Sequence, residues 1–82
     1  MSNVNKDELL KRITLDAKIM VGKPVIRGMR ITVEQIMEAL AGGLSENKIL
    51  EDYPELEKDD IKAVLLYANE LIKEERAYKR FW

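Results

Sequence analysis

The twelve residues 22–33 constrain the fold of this chain most, because they place two turn formers, three basic groups and a helix start side by side. Pro24 lacks the amide that a strand interior requires, so a strand through residues 25–26 begins at the proline or lies at a sheet edge. Arg27-Gly28 can form the centre of a tight turn, with glycine adopting the positive φ that a side chain resists. The chain would then return through residues 30–31, which predicts a compact β ribbon.

A second short strand is predicted just upstream. Residues 13–16 alternate apolar and polar side chains and are rich in strand formers, which is typical of a half-buried strand. Residues 7–12 form a helical turn or a frayed arm. The expected sheet is small and belongs to the N-terminal part of the chain.

A helix is predicted over residues 33–41. Thr32 can cap its first turn, and Gln35, three residues later, completes a reciprocal capping box. Apolar side chains recur at helical spacing on one face, at Val33, Ile36, Met37 and Leu40. Gly42-Gly43 ends the helix, because glycine adopts the left-handed C-terminal conformation at little cost.

Two further helices are predicted after this one. Ser45 is the expected N-cap of a short helix that runs to about Asp52, and Pro54 then forces a turn. The third helix begins after Glu57 and is the longest. Its apolar stripe consists of Ile61, Val64, Leu65, Ala68, Leu71 and Ile72. Three helices joined by short turns match the helix-turn-helix plan.

The predicted fold class is therefore mainly α, with a small N-terminal β ribbon and a three-helix helix-turn-helix core. We expect a single domain over residues 1–82. It divides into an arm (1–12), the β ribbon (13–32), the helical core (33–76) and a C-terminal aromatic tail (77–82). A chain of this size buries only roughly 60 to 65% of its unfolded surface, so we expect a homodimer or a higher homo-oligomer.

The composition excludes most catalytic chemistry. The chain has no cysteine and no histidine, which excludes disulfides, thiolate nucleophiles, histidine bases and the usual zinc sites. No spacing unites the remaining reactive groups, so we expect neither an enzyme nor a bound cofactor or metal ion. No segment approaches the ~20 apolar residues of a membrane span and the start lacks a signal core, so the expected location is the cytoplasm.

Charge is segregated along the chain although the net charge is only −1. Residues 1–32 carry seven basic and three acidic groups, residues 33–60 carry two and nine, and residues 61–82 carry five and three. The segment charges are thus +4, −7 and +2. Nucleic-acid binding needs a concentrated positive face, so such a face has to come from the two ends.

The motif at residues 22–30, read with the turns at 41–46 and 52–54, resembles the small bacterial and archaeal family called domain of unknown function 433. The three sequences are Gly-Lys-Pro-Val-Ile-Arg-Gly-Met-Arg, Ala-Gly-Gly-Leu-Ser-Glu and Asp-Tyr-Pro. The resemblance covers residues 13 to about 68. It implies a homeodomain-like or winged-helix-like protein that acts as the antitoxin of a type II toxin-antitoxin pair, binding operator DNA and masking a nuclease-like toxin.

Candidate DNA contacts lie on the ribbon and on the third helix. Lys23, Arg27 and Arg30 flank the tight turn, where arginine can bind phosphate or guanine in a bidentate manner. Lys58 and Lys62 on the third helix are expected to help in contacting the DNA backbone. Two alternatives stay open for the ribbon cations: they solvate a sheet edge and deter aggregation, or they meet the acidic 33–60 region of a second copy.

The start of the third helix is acidic, which bears directly on DNA recognition. Glu57, Asp59 and Asp60 could accept hydrogen bonds from cytosine amino groups, but they would also repel a polyanion. We favour the alternative that these carboxylates cap the helix and stabilise its dipole. A metal site is disfavoured, because consecutive aspartates point about 100° apart on a helix.

Three aromatic residues, Tyr78, Phe81 and Trp82, stand among cations at the last five positions of the chain. Aromatic residues and arginine are enriched in interface hot spots, so these three are candidate anchors for a partner such as the toxin. Alternatively, they close over the domain's own core or a dimer mate. The competing function is a non-catalytic protein-interaction or homo-oligomerisation module of helix-turn-helix shape that does not bind DNA, and the acidic third helix supports it.

Overall fold

The computed structural model of the chain describes residues 5–74. Its helices are α1 (Lys6–Leu10), α2 (Val33–Ala41), α3 (Glu46–Asp52) and α4 (Lys58–Glu74), and its strands are β1 (Ile13–Thr14) and β2 (Val25–Ile26). A short 3-10 turn, Met20–Gly22, lies between the strands. The predicted fold class is confirmed at this level: the described chain is mainly helical, with a small antiparallel sheet near its N-terminus.

The segment before the first strand forms a helix that packs against α4. Asn5 caps it, since its side-chain oxygen accepts hydrogen bonds from the amides of Asp7 at 2.9 Å and Glu8 at 3.3 Å. Leu9 is buried and belongs to the hydrophobic core. Of the two readings of this segment, the helical turn is thus confirmed over residues 6–10.

The β ribbon has the predicted turn at its tip. Ile13 pairs with Ile26 in the antiparallel β1–β2 ladder, and the chain returns so that Val25 bridges Thr32. Between them, the amide of Met29 donates to the carbonyl of Ile26 at 2.8 Å. Both central turn residues have positive φ, 46° at Arg27 and 72° at Gly28. Positive φ at both positions is the signature of a type I′ turn, which suits the twist of a hairpin.

The first predicted helix is confirmed as α2, with the predicted bounds and both predicted ends. Thr32 and Gln35 form the reciprocal capping box. At the other end Gly43 has a φ of 100°, its amide donates to the carbonyl of Leu40, and the amide of Leu44 donates to that of Ala39. These two hydrogen bonds form a Schellman motif, which satisfies the last carbonyls of the helix.

The other two predicted helices are α3, capped by Ser45, and α4, which begins directly after Glu57 as predicted. Helix α4 lies at the centre of the packing, because it contacts α1, β1, α2 and α3. The four buried residues of α4, Asp60, Ile61, Ala63 and Val64, lie in its first seven positions. The N-terminal end of α4 is therefore enclosed by the fold, and within residues 5–74 no residue of α4 after Val64 is buried.

Two further expectations concern membrane crossing and the aromatic anchors. None of the helices described for residues 5–74 combines the length and hydropathy that a bilayer crossing requires. The aromatic anchors Tyr78, Phe81 and Trp82 fall outside the described residues.

Candidate functional site

Asp60 is the one fully buried charged side chain among residues 5–74. Its two carboxylate oxygens face the tip of the β ribbon. The Nε of Arg27 donates to Oδ1 at 3.0 Å and its Nη2 donates to Oδ2 at 2.7 Å, which makes a bidentate fork. The backbone amide of Glu57 donates to Oδ2 at 2.8 Å, so Asp60 also caps its own helix. The capping role favoured for these acids is confirmed for Asp60.

A second arginine completes this cluster. The Nη1 of Arg12 lies 2.9 Å from Oδ1 of Asp60 and 2.8 Å from a carboxylate oxygen of Glu57. Arg27 makes one more bond, from Nη2 to the carbonyl of Glu55 at 2.9 Å, and its amide donates to the carbonyl of Arg12 at 2.7 Å. We call Arg12, Arg27, Glu57 and Asp60 the arginine–aspartate network. It joins the link between α1 and β1, the ribbon turn and the start of α4.

The network shifts the pKa values of Asp60, Arg12 and Arg27 toward their charged forms. Burial alone would raise the pKa of Asp60, but hydrogen bonds from Arg27, the Glu57 amide and Arg12 outweigh it and hold that pKa below its ordinary value of 3.8. Hydrogen bonds to Glu57 and Asp60 raise the pKa of Arg12, and the bond to Asp60 raises that of Arg27. Each of these shifts favours the charged form, so Asp60 and the two arginines form ion pairs at neutral pH.

Acidification is expected to remove the stability that this carboxylate provides. The pKa of Asp60 is lower in the folded than in the unfolded chain, so its contribution is complete above about 3.9 and is lost as pH falls through the folded-state value. Urea unfolding of the parent chain and of an Asp60→Asn variant should give a constant difference in free energy from pH 8 to about pH 5. That difference should shrink below about pH 4, and a difference that persisted to pH 2 would contradict this account.

One of the predicted DNA-contacting residues, Arg27, belongs to the arginine–aspartate network. Arg27 directs its guanidinium onto Asp60, so its hydrogen bonds hold the fold together, and we leave it out of the DNA-contacting set proposed below. Lys58 and Lys62 are exposed in the first turns of α4, and the Nζ of Lys62 lies 3.9 Å from a carboxylate oxygen of Asp59. Neither of these two lysines lines the pocket that Lys23 and Arg30 share.

The other two predicted ribbon contacts, Lys23 and Arg30, lie together with Lys18, which was not predicted from the sequence. Lys23, Arg30 and Lys18 line one open pocket of about 420 Å³. Ala17, Met20 and Val21 complete its lining. We call the three cations the turn patch. The Nζ of Lys23 lies 3.0 Å from a carboxylate oxygen of Glu34, both side chains being exposed; Lys18 and Arg30 have no ion-pair partner within residues 5–74.

The turn beside this patch has an unusual backbone. Three consecutive residues have positive φ: 50° at Met20, 57° at Val21 and 80° at Gly22. For a β-branched residue such as Val21 this conformation is a genuine outlier. Val21 is also 92% exposed, so no packing contact within the described residues compensates for this strain. Strain of this kind persists where the surroundings impose it, and it is found disproportionately at functional sites.

The surroundings that impose this turn are local hydrogen bonds. Asp16 accepts from the amide of Lys18 at 2.9 Å through its side chain and from the amide of Ile19 at 2.8 Å through its carbonyl. The carbonyls of Ile19 and Met20 then accept from the amides of Gly22 and Lys23, both at 3.1 Å. The turn is therefore preformed.

Across residues 5–74, no group of three or more metal-ligating side chains is arranged to hold an ion. The metal interpretation of Asp59 and Asp60 has no geometric support, because both oxygens of Asp60 already accept hydrogen bonds from the arginines.

Comparison with known proteins agrees with the motif at the ribbon. The family model described as "Protein of unknown function (DUF433)" matches residues 13–68. A protein of Sinorhizobium fredii, described as "Uncharacterized protein y4eO", is 34% identical over 56 residues, which are 68% of this chain and 25% of that protein. The chain thus spans about a quarter of the length of this curated relative. No solved structure matches the chain significantly. Because the family model matches more than half of the sequence and includes both the ribbon turn and the buried Asp60, the chain belongs to the DUF433 family.

Proposed function

We propose that this chain is the antitoxin-like component of a type II toxin-antitoxin pair, which binds operator DNA and masks a nuclease-like toxin. The observation that carries the DNA-binding part is the turn patch. Lys18, Lys23 and Arg30 converge on one exposed pocket, whereas Arg12 and Arg27 are held by Asp60. Converging cations on a preformed surface are what phosphate binding requires.

The proposal includes a helix-turn-helix arrangement of α2, α3 and α4. Each of these helices contacts the other two, and the links between them are short. The first turn of α4, however, carries the exposed acids Glu57 and Asp59, which would repel a polyanion. In this proposal the turn patch therefore makes the main DNA contacts, and Lys58 and Lys62 assist at the backbone.

The test is a titration of labelled upstream DNA over a series of salt concentrations. Neutralising three phosphates contributes about 2.7 to the slope of log affinity against log salt. A triple variant, Lys18→Ala, Lys23→Ala and Arg30→Ala, should therefore show a slope shallower by about that amount, so that it binds more weakly than the parent at low salt and the difference narrows as the salt concentration rises.

The matched control removes three other exposed lysines, with Lys11→Ala, Lys48→Ala and Lys73→Ala. It changes the net charge equally, so it separates the patch from a general charge effect. Equal losses in the two triple variants, or a parent chain without a negative salt slope, would refute the proposed DNA surface.

The toxin-masking part has its own test. If the protein encoded next to this chain is the nuclease-like partner, the two should copurify. Deleting residues 78–82 should abolish that complex without lowering the thermal midpoint, provided that Tyr78, Phe81 and Trp82 capture the toxin. Loss of the fold on deletion would instead indicate that the tail packs on its own domain.

A specific observation favours a second candidate, a homo-oligomerisation module. From its middle onward, α4 exposes Leu65, Leu71 and Ile72 by 44%, 42% and 55%, and exposed apolar side chains on a helix are typical of interaction surfaces. Sedimentation equilibrium discriminates the candidates when combined with the DNA titration. A stable oligomer with no salt-dependent DNA affinity would favour this second function.

A further inference from the structure

The strained turn at Met20–Gly22 and the turn patch form one surface. Val21 is 92% exposed and lines the same open pocket as Lys18, Lys23 and Arg30, of which Lys23 also pairs with Glu34. An exposed apolar side chain beside three cations is complementary to a surface with anionic walls and a less polar floor. A groove of duplex DNA has this character, since phosphates line both of its edges.

We propose that this turn enters the minor groove, with Val21 over the groove floor and the turn patch on the flanking phosphates. The proposal rests on the proposed DNA-binding function and deepens it by naming the groove and the reading residue. A single isopropyl group fits a groove of about 6 Å width, in which larger elements such as helices are not accommodated. Apolar side chains at such positions are a known mode of minor-groove binding.

The chemistry of Val21 sets the expected sequence preference. Its side chain has no hydrogen-bonding group, so it reads only shape. The minor groove of a G·C pair carries the projecting N2 amino group of guanine, which an A·T pair lacks. The tip therefore favours A·T-rich duplexes, because the amino group obstructs the groove floor.

Base analogues separate this minor-groove contact from an apolar contact in the major groove. Inosine lacks the N2 amino group, so an I·C pair has an A·T-like minor groove and a G·C-like major groove. Deoxyuridine lacks the thymine methyl group, which lies in the major groove. Fluorescence anisotropy with four duplexes of equal length, A·T, A·U, G·C and I·C, should give similar affinities for A·T, A·U and I·C. The G·C duplex should bind roughly fivefold more weakly.

A glycine variant tests the residue itself. Val21→Gly removes the side chain from the groove, and glycine accepts the left-handed conformation without strain. We expect its thermal midpoint to be at least that of the parent, while its preference for A·T over G·C falls to about one. Leu15→Ala is the matched control and should keep the preference, because Leu15 is an apolar residue that is 62% exposed and does not line the pocket of the turn patch.

The outcomes distinguish this inference from the function on which it rests. If no duplex binds with a negative salt slope, the DNA-binding proposal itself fails. If all four duplexes bind equally with a steep slope, DNA binding stands and the minor-groove assignment is overturned. If A·U binds as weakly as G·C and I·C gains nothing, the tip reads the thymine methyl group, which also overturns it.

Discussion

Replacing Asp60 by asparagine is expected to lower the free energy of unfolding by about 3 kcal/mol, a large part of the stability of so small a domain. The variant leaves two guanidinium groups, of Arg12 and Arg27, without their shared carboxylate. Removing one partner of a buried ion pair costs about 3 to 5 kcal/mol. We expect the lower end, because the arginine side chains are 26% and 37% exposed and can regain water. Urea unfolding at neutral pH measures the difference.

The neighbouring aspartate provides the control for this variant. Asp59 is 53% exposed and its two basic neighbours lie 3.9 Å away, so Asp59→Asn should change the unfolding free energy by less than about 0.5 kcal/mol. Both substitutions remove one negative charge from the first turn of α4. If they destabilised the protein equally, the loss would come from the helix dipole and not from the buried network.

Replacing Arg27 by alanine is expected to cost about 2 kcal/mol of unfolding free energy, the second largest effect. Asp60 would keep Arg12 and the Glu57 amide as partners, so the loss should be smaller than for Asp60→Asn. Arg27→Lys should recover less than half of it. A lysine ammonium is a single point donor, and it does not reproduce the fork that bonds both oxygens of Asp60.

The other ribbon arginine is the control here, and it also separates stability from binding. Arg30 is exposed, so Arg30→Ala should leave the urea midpoint nearly unchanged and weaken DNA binding. Arg27→Ala should show the opposite pattern where enough folded protein remains. Equal destabilisation by the two substitutions would contradict the division of roles between the network and the turn patch.

The local parts of the fold could be predicted from the sequence because their signals lie within a few residues. Thr32 and Gln35 specify the start of α2, and Gly43 specifies its end. The turn at Arg27-Gly28 was equally readable, since glycine marks one of its positive φ angles. In each case the chemistry that decides the structure is contained in a single turn of chain.

The arginine–aspartate network was not predicted, because its members are far apart in the sequence. Asp60 was interpreted as a helix-start acid, which it is, but its position relative to the apolar stripe carried a further signal. It lies three and four residues before Ala63 and Val64, which are fully buried. A carboxylate on the buried face of a helix requires a basic or hydrogen-bonding partner, and arginine is well suited to that role.

Gly22 marked the end of the left-handed turn, but Met20 and Val21 gave no signal for it. Val21 belongs to the residue class that most disfavours positive φ, so propensity argues against the conformation that it adopts. The conformation is imposed by the hydrogen bonds that Asp16, Ile19 and Met20 accept. These bonds form only when residues 16–23 have already taken up the loop conformation. Lys18 was missed for the same reason, because its place beside Lys23 and Arg30 follows from that turn.

The network also sets the order in which this chain can assemble. Asp60 bonds to arginines that precede it by 33 and 48 residues, so each contact closes a long loop of chain. The entropy of loop closure is lost before such a contact gives any energy back, which places these bonds after the helices have begun to pack. Interactions that form late retard unfolding more than they hasten folding. We therefore expect the loss of Asp60 to speed unfolding more than it slows folding.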